Sequence, residues 1–236
     1  FSNEAIHNAE KMDGATVAWL RERARELDAA ITGSVQLRVG DDVFNRLLFV
    51  TPDGEVRHYD KRHLFRYADE HKRYAAGRDR LLVEWKGWKI CPLVCYDLRF
   101  PVFSRNRHDA GRGFEYDLVL FVANWPAPRT HAWRTLLRAR AIENLAYCAG
   151  VNRVGVDGNQ LPYSGDSAVL DYLGQAMAEL GAQTDPVEER LDPLLDLAAA
   201  HQLLHDQRLR DDLPARHPRV ERRVRILEHH VHVAAK

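Results

Sequence analysis

The sequence predicts an α+β fold built in layers, with helices outside and two sheets inside. Three observations carry that expectation. Short apolar runs are punctuated by turn signals, as in antiparallel hairpins. Two stretches, 15–28 and 129–146, repeat apolar residues at helical spacing. One run, 116–123, is apolar throughout, the pattern of a strand covered on both faces. The chain has 236 residues, of which 45% are hydrophobic and 9% aromatic, enough for an ordinary globular core and too apolar for a disordered polymer. Lys and Arg together number 34, as do Asp and Glu, so the formal charge of zero leaves no footprint for nucleic acid or an anionic membrane. No apolar run approaches the roughly 18 residues of a membrane span, and no basic-then-apolar leader is present. The cysteines, Cys91, Cys95 and Cys148, are odd in number and irregular in spacing, which argues against a disulfide scaffold and for a reducing cytoplasm.

In chain order, Val17, Leu20, Ala24 and Leu27 form the apolar stripe of a helix over 15–28. Residues 29–37 alternate with β-branched side chains and read as a strand. Residues 46–51 and 55–59 flank Pro52-Asp53-Gly54, where proline presets φ and glycine accepts a positive one. Residues 81–85 and 88–95 flank Lys86-Gly87, a second hairpin. The helix over 129–146 aligns Trp133, Leu136, Leu137, Ala141 and Ile142 on one face. Residues 147–154 read as a strand, Asp157-Gly158-Asn159 as a turn, and 167–172 with 175–180 as a hairpin around Leu173-Gly174. No internal repeat is visible. Composition changes near Gly181: beyond it there is no Gly, Phe, Tyr or Trp, and half of the 12 histidines lie there. Residues 184–236 are therefore expected to be an atypical tail, helical over 187–213 and 219–227 or disordered. His229, His230 and His232 read as a solvated cluster, because no cysteine or spaced partner closes a metal site.

Cys95 closes an apolar strand and is followed by Tyr96-Asp97-Leu98-Arg99-Phe100-Pro101. A cysteine on a sharp turn at a strand's end presents its thiol at the rim of a sheet, where the next backbone N–H can face a developing oxyanion. The same place also suits a buried structural thiol. Cys91 lies roughly 13 Å back along the strand, too far to share the site, and Cys148 has the surroundings of a packing residue. Lys61 follows the strand 55–59, where an ammonium can sit against a thiolate and an oxyanion. Lys61-Arg62-His63 also reads as a solvated basic run. Glu70 can orient the lysine or lie on the surface.

The runs Tyr59-Asp60-Lys61-Arg62-His63-Leu64-Phe65, Glu70-His71 with Tyr74 and Gly77, and Cys95-Tyr96-Asp97-Leu98-Arg99-Phe100-Pro101 resemble the nitrilase superfamily of carbon-nitrogen hydrolases. So do Ala123-Asn124-Trp125-Pro126, Arg140-Ala141-Ile142-Glu143-Asn144 and Gly165-Asp166-Ser167, and the match is to the omega-amidase branch. The resemblance covers 1–183, the expected hydrolase domain. It implies a four-layer αββα sandwich and a Glu-Lys-Cys catalytic triad. In that arrangement Cys95 is the nucleophile, Lys61 the cation that steadies the tetrahedral intermediate, and Glu70 the supporting glutamate. The Tyr96 N–H completes the oxyanion hole, Arg99 holds the substrate's distal carboxylate, Trp125 walls the pocket, and Glu143 is a buried structural acid. The triad's first glutamate aligns ahead of Phe1, so the first strand is expected to be missing; Glu4 and Glu10 do not match it.

The activity implied is hydrolysis of a small ω-amide, such as the monoamide of a 2-oxo dicarboxylic acid. The products are a carboxylate and ammonia, the intermediate is a cysteine thioester, and no metal or organic cofactor is needed. Sibling chemistry on a nitrile, an N-carbamoyl group or a peptide-like amide is an alternative, as is an impaired fragment that only binds substrate. The implied partners are a small-molecule amide and further copies of the chain packed through sandwich faces, with no nucleic acid and no membrane.

Overall fold

In the computed structural model, residues 6–181 are described. The predicted tail helices, the histidine cluster and the Phe1-Ser2 step lie outside them. Helix α1 (Ala15–Glu26) buries Val17, Leu20 and Ala24, the stripe that its spacing predicted. Glu10 serves its N-terminus: one carboxylate oxygen accepts the Thr16 N–H at 2.9 Å and the other the Thr16 hydroxyl. The helix stops short of 28 because Asp28 turns to a left-handed φ of 46°.

Strands β1 (Ile31–Val39), β2 (Asp42–Val50) and β3 (Val56–Asp60) form an antiparallel three-stranded sheet. β2 begins four residues before the predicted 46–51, on Asp42, Val43, Phe44 and Asn45. Its last four residues are buried on both faces: Leu48 and Val50 join α1, while Leu47 and Phe49 face the second sheet. The run Leu47-Leu48-Phe49-Val50 is thus apolar without alternation because β2 is an inner layer.

The second sheet has six strands. β4 (Val83–Trp85) and β5 (Trp88–Val94) form the hairpin predicted around Lys86-Gly87. After it come helix α2 (Pro101–Ser104), the small ribbon β6 (His108–Asp109) with β7 (Gly113–Phe114), β8 (Leu118–Ala123), helix α3 (Thr130–Asn144) and β9 (Tyr147–Asn152). The predicted strand 147–154 breaks after Asn152, and β10 (Val154–Val156) pairs instead with β11 (Pro162–Ser164) across the Asp157–Gln160 turn. β12 (Ser167–Leu170) and β13 (Ala176–Leu180) complete the order β13-β12-β9-β8-β5-β4. The middle strands β5, β8 and β9 are parallel, and the flanking pairs are antiparallel.

One face of this sheet packs Ile90, Leu118, Leu120 and Ala149 against Phe49 of the first sheet. The other packs Cys91, Leu93, Val119, Phe121 and Cys148 against Trp133, Leu137 and Ala141 of α3. Gly150 allows that approach, since a Cβ there would overlap the Leu137 and Trp133 side chains. The layers read α1, three strands, six strands, α3: an αββα sandwich. No helix among the described residues is long and apolar enough to cross a membrane.

Candidate active site

The three parallel strands end on one rim, where Cys95 follows β5 and Trp125 lies in the loop after β8. β5 ends at Val94, and Cys95 opens a tight turn of 3₁₀ type, Cys95–Arg99. Cys95 takes a left-handed φ of 47°, a strained conformation for a residue with a Cβ. Its thiol is half-buried and lies 3.9 Å from the Asn124 carbonyl in the loop after β8. Burial pushes the thiol's pKa up, and the positive charge of Lys61 is the largest influence pulling it down.

Lys61 comes from the other sheet. It is the residue after β3, and its backbone is fixed on both sides: its N–H donates to Asn45 O and its carbonyl accepts from Gly77 N, both at 3.0 Å. Gly77 permits this because a Cβ there would overlap the Asp60 carbonyl. The ammonium donates to Glu70 at 2.7 and 3.0 Å, with Lys61 2% and Glu70 1% exposed. The Glu70 carboxylate also accepts Asn45 Nδ2 at 3.0 Å and Phe65 N at 2.6 Å. A buried ion pair needs such extra hydrogen bonds to offset desolvation. The structure therefore brings Cys95, Lys61 and Glu70 to one rim, whereas Cys91 and Cys148 are fully buried below it. Burial raises the Cys91 thiol to about 12, so it is inert at neutral pH.

The Tyr96 ring stands edge-on to Phe65 and Phe100, at 4.9 and 5.2 Å. Arg99 is exposed and places its guanidinium 5.1 Å above the Trp125 ring. Trp125 is held by Asn152, whose Oδ1 accepts Trp125 N at 2.7 Å and whose Nδ2 donates to Trp125 O at 3.0 Å and Gly165 O at 2.7 Å. Glu143 departs from its expected burial: it is exposed, and the buried partner of that pair is Arg140, 3% exposed, which donates to Glu143 and to Leu98 O of the cysteine turn.

Asp97 was not singled out by the sequence. It is fully buried, and its carboxylate accepts Val94 N at 3.1 Å, Tyr59 OH at 2.8 Å, His63 N at 3.0 Å and His63 Nδ1 at 2.8 Å. His63 also stacks on Phe100 with centroids 3.7 Å apart. A signal was present: an acid two residues past a strand-end cysteine, inside an apolar stretch, needs partners.

The sequence pattern of the carbon-nitrogen hydrolase family matches residues 1–190. The chain belongs to that family. The omega-amidase YafV of Escherichia coli K12 is 51% identical over 199 residues, covering 84% of this chain and 74% of that one. The 2-oxoglutaramate amidase of Bacillus subtilis is 35% identical over 178 residues, 74% of this chain and 66% of the relative. Among solved structures, the carbon-nitrogen hydrolase XC1258 of Xanthomonas campestris, with an arsenic adduct in its active site, aligns with a TM-score of 0.78. It is 58% identical and covers 92% of this chain and 82% of its own. The hydrolase fold and the amidase class follow from these likenesses.

Proposed function

We propose that this carbon-nitrogen hydrolase cleaves small ω-amides bearing a distal carboxylate, with the monoamide of a 2-oxo dicarboxylic acid as its type substrate. The carrying observation is a half-buried thiol on a strained turn, set against a buried lysine–glutamate pair, with an exposed arginine on the neighbouring tryptophan. The names of the E. coli and B. subtilis relatives support the ω-amide and the 2-oxo acid.

In this reading the Cys95 thiol gives its proton to a carboxylate base and its sulfur attacks the amide carbon. Glu70 is a poor base because both of its oxygens already accept hydrogen bonds; its part is to hold Lys61. The family resemblance gives the part of base to the triad's first glutamate. The Lys61 ammonium and the Tyr96 N–H face the oxyanion. The C–N bond breaks as the amine takes the proton from the base and leaves as ammonia. Water then attacks the thioester, giving its proton to the same base, and the carboxylate leaves Cys95. Arg99 anchors the substrate's far carboxylate, and Trp125 holds Arg99 in place. Residues 1–183 form the hydrolase domain, and a reducing, cytoplasmic setting suits the three free thiols.

Ammonia release from the monoamide of 2-oxoglutaric acid tests this directly. Arg99→Ala should lower kcat/KM for that anionic amide by about ten- to a hundredfold, the worth of a hydrogen bond to a charged group, and a neutral amide of similar size much less. Equal losses on both would remove Arg99 from substrate recognition. An electrophilic amide analogue should label Cys95 and spare Cys91 and Cys148; equal labelling of Cys91 would sink the nucleophile assignment.

A further inference from the structure

Cys95 and Lys61 belong to different sheets, so something must hold their register. The donors on Asp97 lie next to both: Tyr59 and His63 are two residues before and after Lys61, and Val94 is one before Cys95. A carboxylate offers about four lone-pair directions, and here all are taken. We infer that Asp97 is a positioning residue whose buried carboxylate ties the lysine turn to the cysteine turn and so sets Lys61 against the Cys95 thiol. The inference rests on the reading of Cys95 and Lys61 as the reacting pair, and assigns to a third residue the distance between them.

The chemistry of the site requires a carboxylate at this position. Val94 N and His63 N can only donate. Tyr59 OH accepts the Arg62 N–H at 2.9 Å and so turns its own proton to Asp97. His63 Nδ1 faces an acceptor and carries its proton there. An asparagine would turn part of this set into donor–donor contacts, at a side chain closed to solvent.

The charges bearing on the thiol separate this role from a plain field effect. Lys61, Glu70 and Asp97 all act on Cys95, Tyr163 lies near it, and Lys61 is the larger influence while Asp97 is the smallest. If Asp97 acted only as a nearby negative charge, its removal would make the thiol more acidic. If it holds Lys61 in register, its removal costs the thiol its main stabilising cation and makes it less acidic.

The test is the rate of Cys95 alkylation by iodoacetamide across pH, read by mass spectrometry on the full chain, with amide turnover counted per alkylatable Cys95. For Asp97→Asn the alkylation profile should move up by about one pH unit, roughly tenfold slower at neutral pH, and kcat should fall with KM little changed. A shift to lower pH, or an unmoved profile with only a lower melting temperature, would overturn the inference. Tyr59→Phe and His63→Phe each remove one donor and keep the carboxylate, and the second also keeps the stack on Phe100. They should shift the profile upward by less, and an unmoved profile in both overturns the inference even where Asp97→Asn does not fold. In the unaltered protein, alkylation of Cys95 that left turnover intact would remove the nucleophile reading and this inference together. Alkylation that abolished turnover, with unmoved variant profiles, would remove this inference alone.

Discussion

Asn152→Ala should uncouple Trp125 from the sheet. Asn152 is 3% exposed and makes three side-chain hydrogen bonds to backbone groups of Trp125 and Gly165. Each bond is worth about 1 kcal/mol net, and each stranded buried group adds to the loss, so the substitution should cost about 3–5 kcal/mol. Against a total of roughly 5–15 kcal/mol that is a large share. Asn152→Asp sharpens the argument. Its carboxylate can still accept Trp125 N, but it meets two carbonyl oxygens where the amide donated. That raises its folded pKa above the unfolded value of about 3.9. A raised folded value means the folded state holds the proton more tightly, so this variant is least impaired below about pH 4. Its deficit then grows by up to about 1.4 kcal/mol per pH unit as pH rises toward the folded pKa. Urea melts at pH 4, 5.5 and 7 measure both effects. Because Trp125 underlies Arg99, Asn152→Ala should also raise KM for an anionic amide more than for a neutral one. An alanine variant within about 1 kcal/mol of the parent, or an aspartate deficit flat with pH, would refute the reasoning.

Glu70→Gln keeps the side chain's shape and removes its charge from a pair that is almost wholly buried. Breaking such a pair from one side costs about 3–5 kcal/mol, so denaturant midpoints should drop sharply, while Lys61→Met with Glu70→Gln should recover part of the stability and no activity. Cys91 behaves differently with pH: burial lifts it from 9.0 to about 12. Above about pH 9 the unfolded chain sheds a proton that the fold keeps, so stability falls by up to about 1.4 kcal/mol per unit from this thiol. Cys91→Ala should flatten that slope in denaturation series from pH 8 to 10.

The hairpins at Pro52-Asp53-Gly54 and Lys86-Gly87, the stripe of α3 and the apolar run of β8 were legible because each rests on local chemistry. The rim positions of Cys95 and Lys61 were legible for a related reason: both follow the last residue of a patterned strand. What stayed hidden depends on partners remote in sequence. Asn45 supports Glu70 from the start of β2, a stretch whose polar Asp42 and Asn45 masked the strand. Asn152 looks like any strand-end asparagine until Trp125, 27 positions earlier, is seen against it. Glu143, expected to be buried, is exposed, and Arg140 is the buried one, because sequence spacing places them on adjoining turns but does not say which faces the core.

The backbone at Cys95 sets a conflict that selection must keep resolving. A left-handed φ favours glycine, and a half-buried thiol is held away from its easy ionisation. Cys95→Gly would relax the turn, worth about 1 kcal/mol, but would also give up the packing of the thiol against the core. A cysteine kept at this position is therefore kept against the preference of its own backbone, and whatever keeps it must act through the thiol.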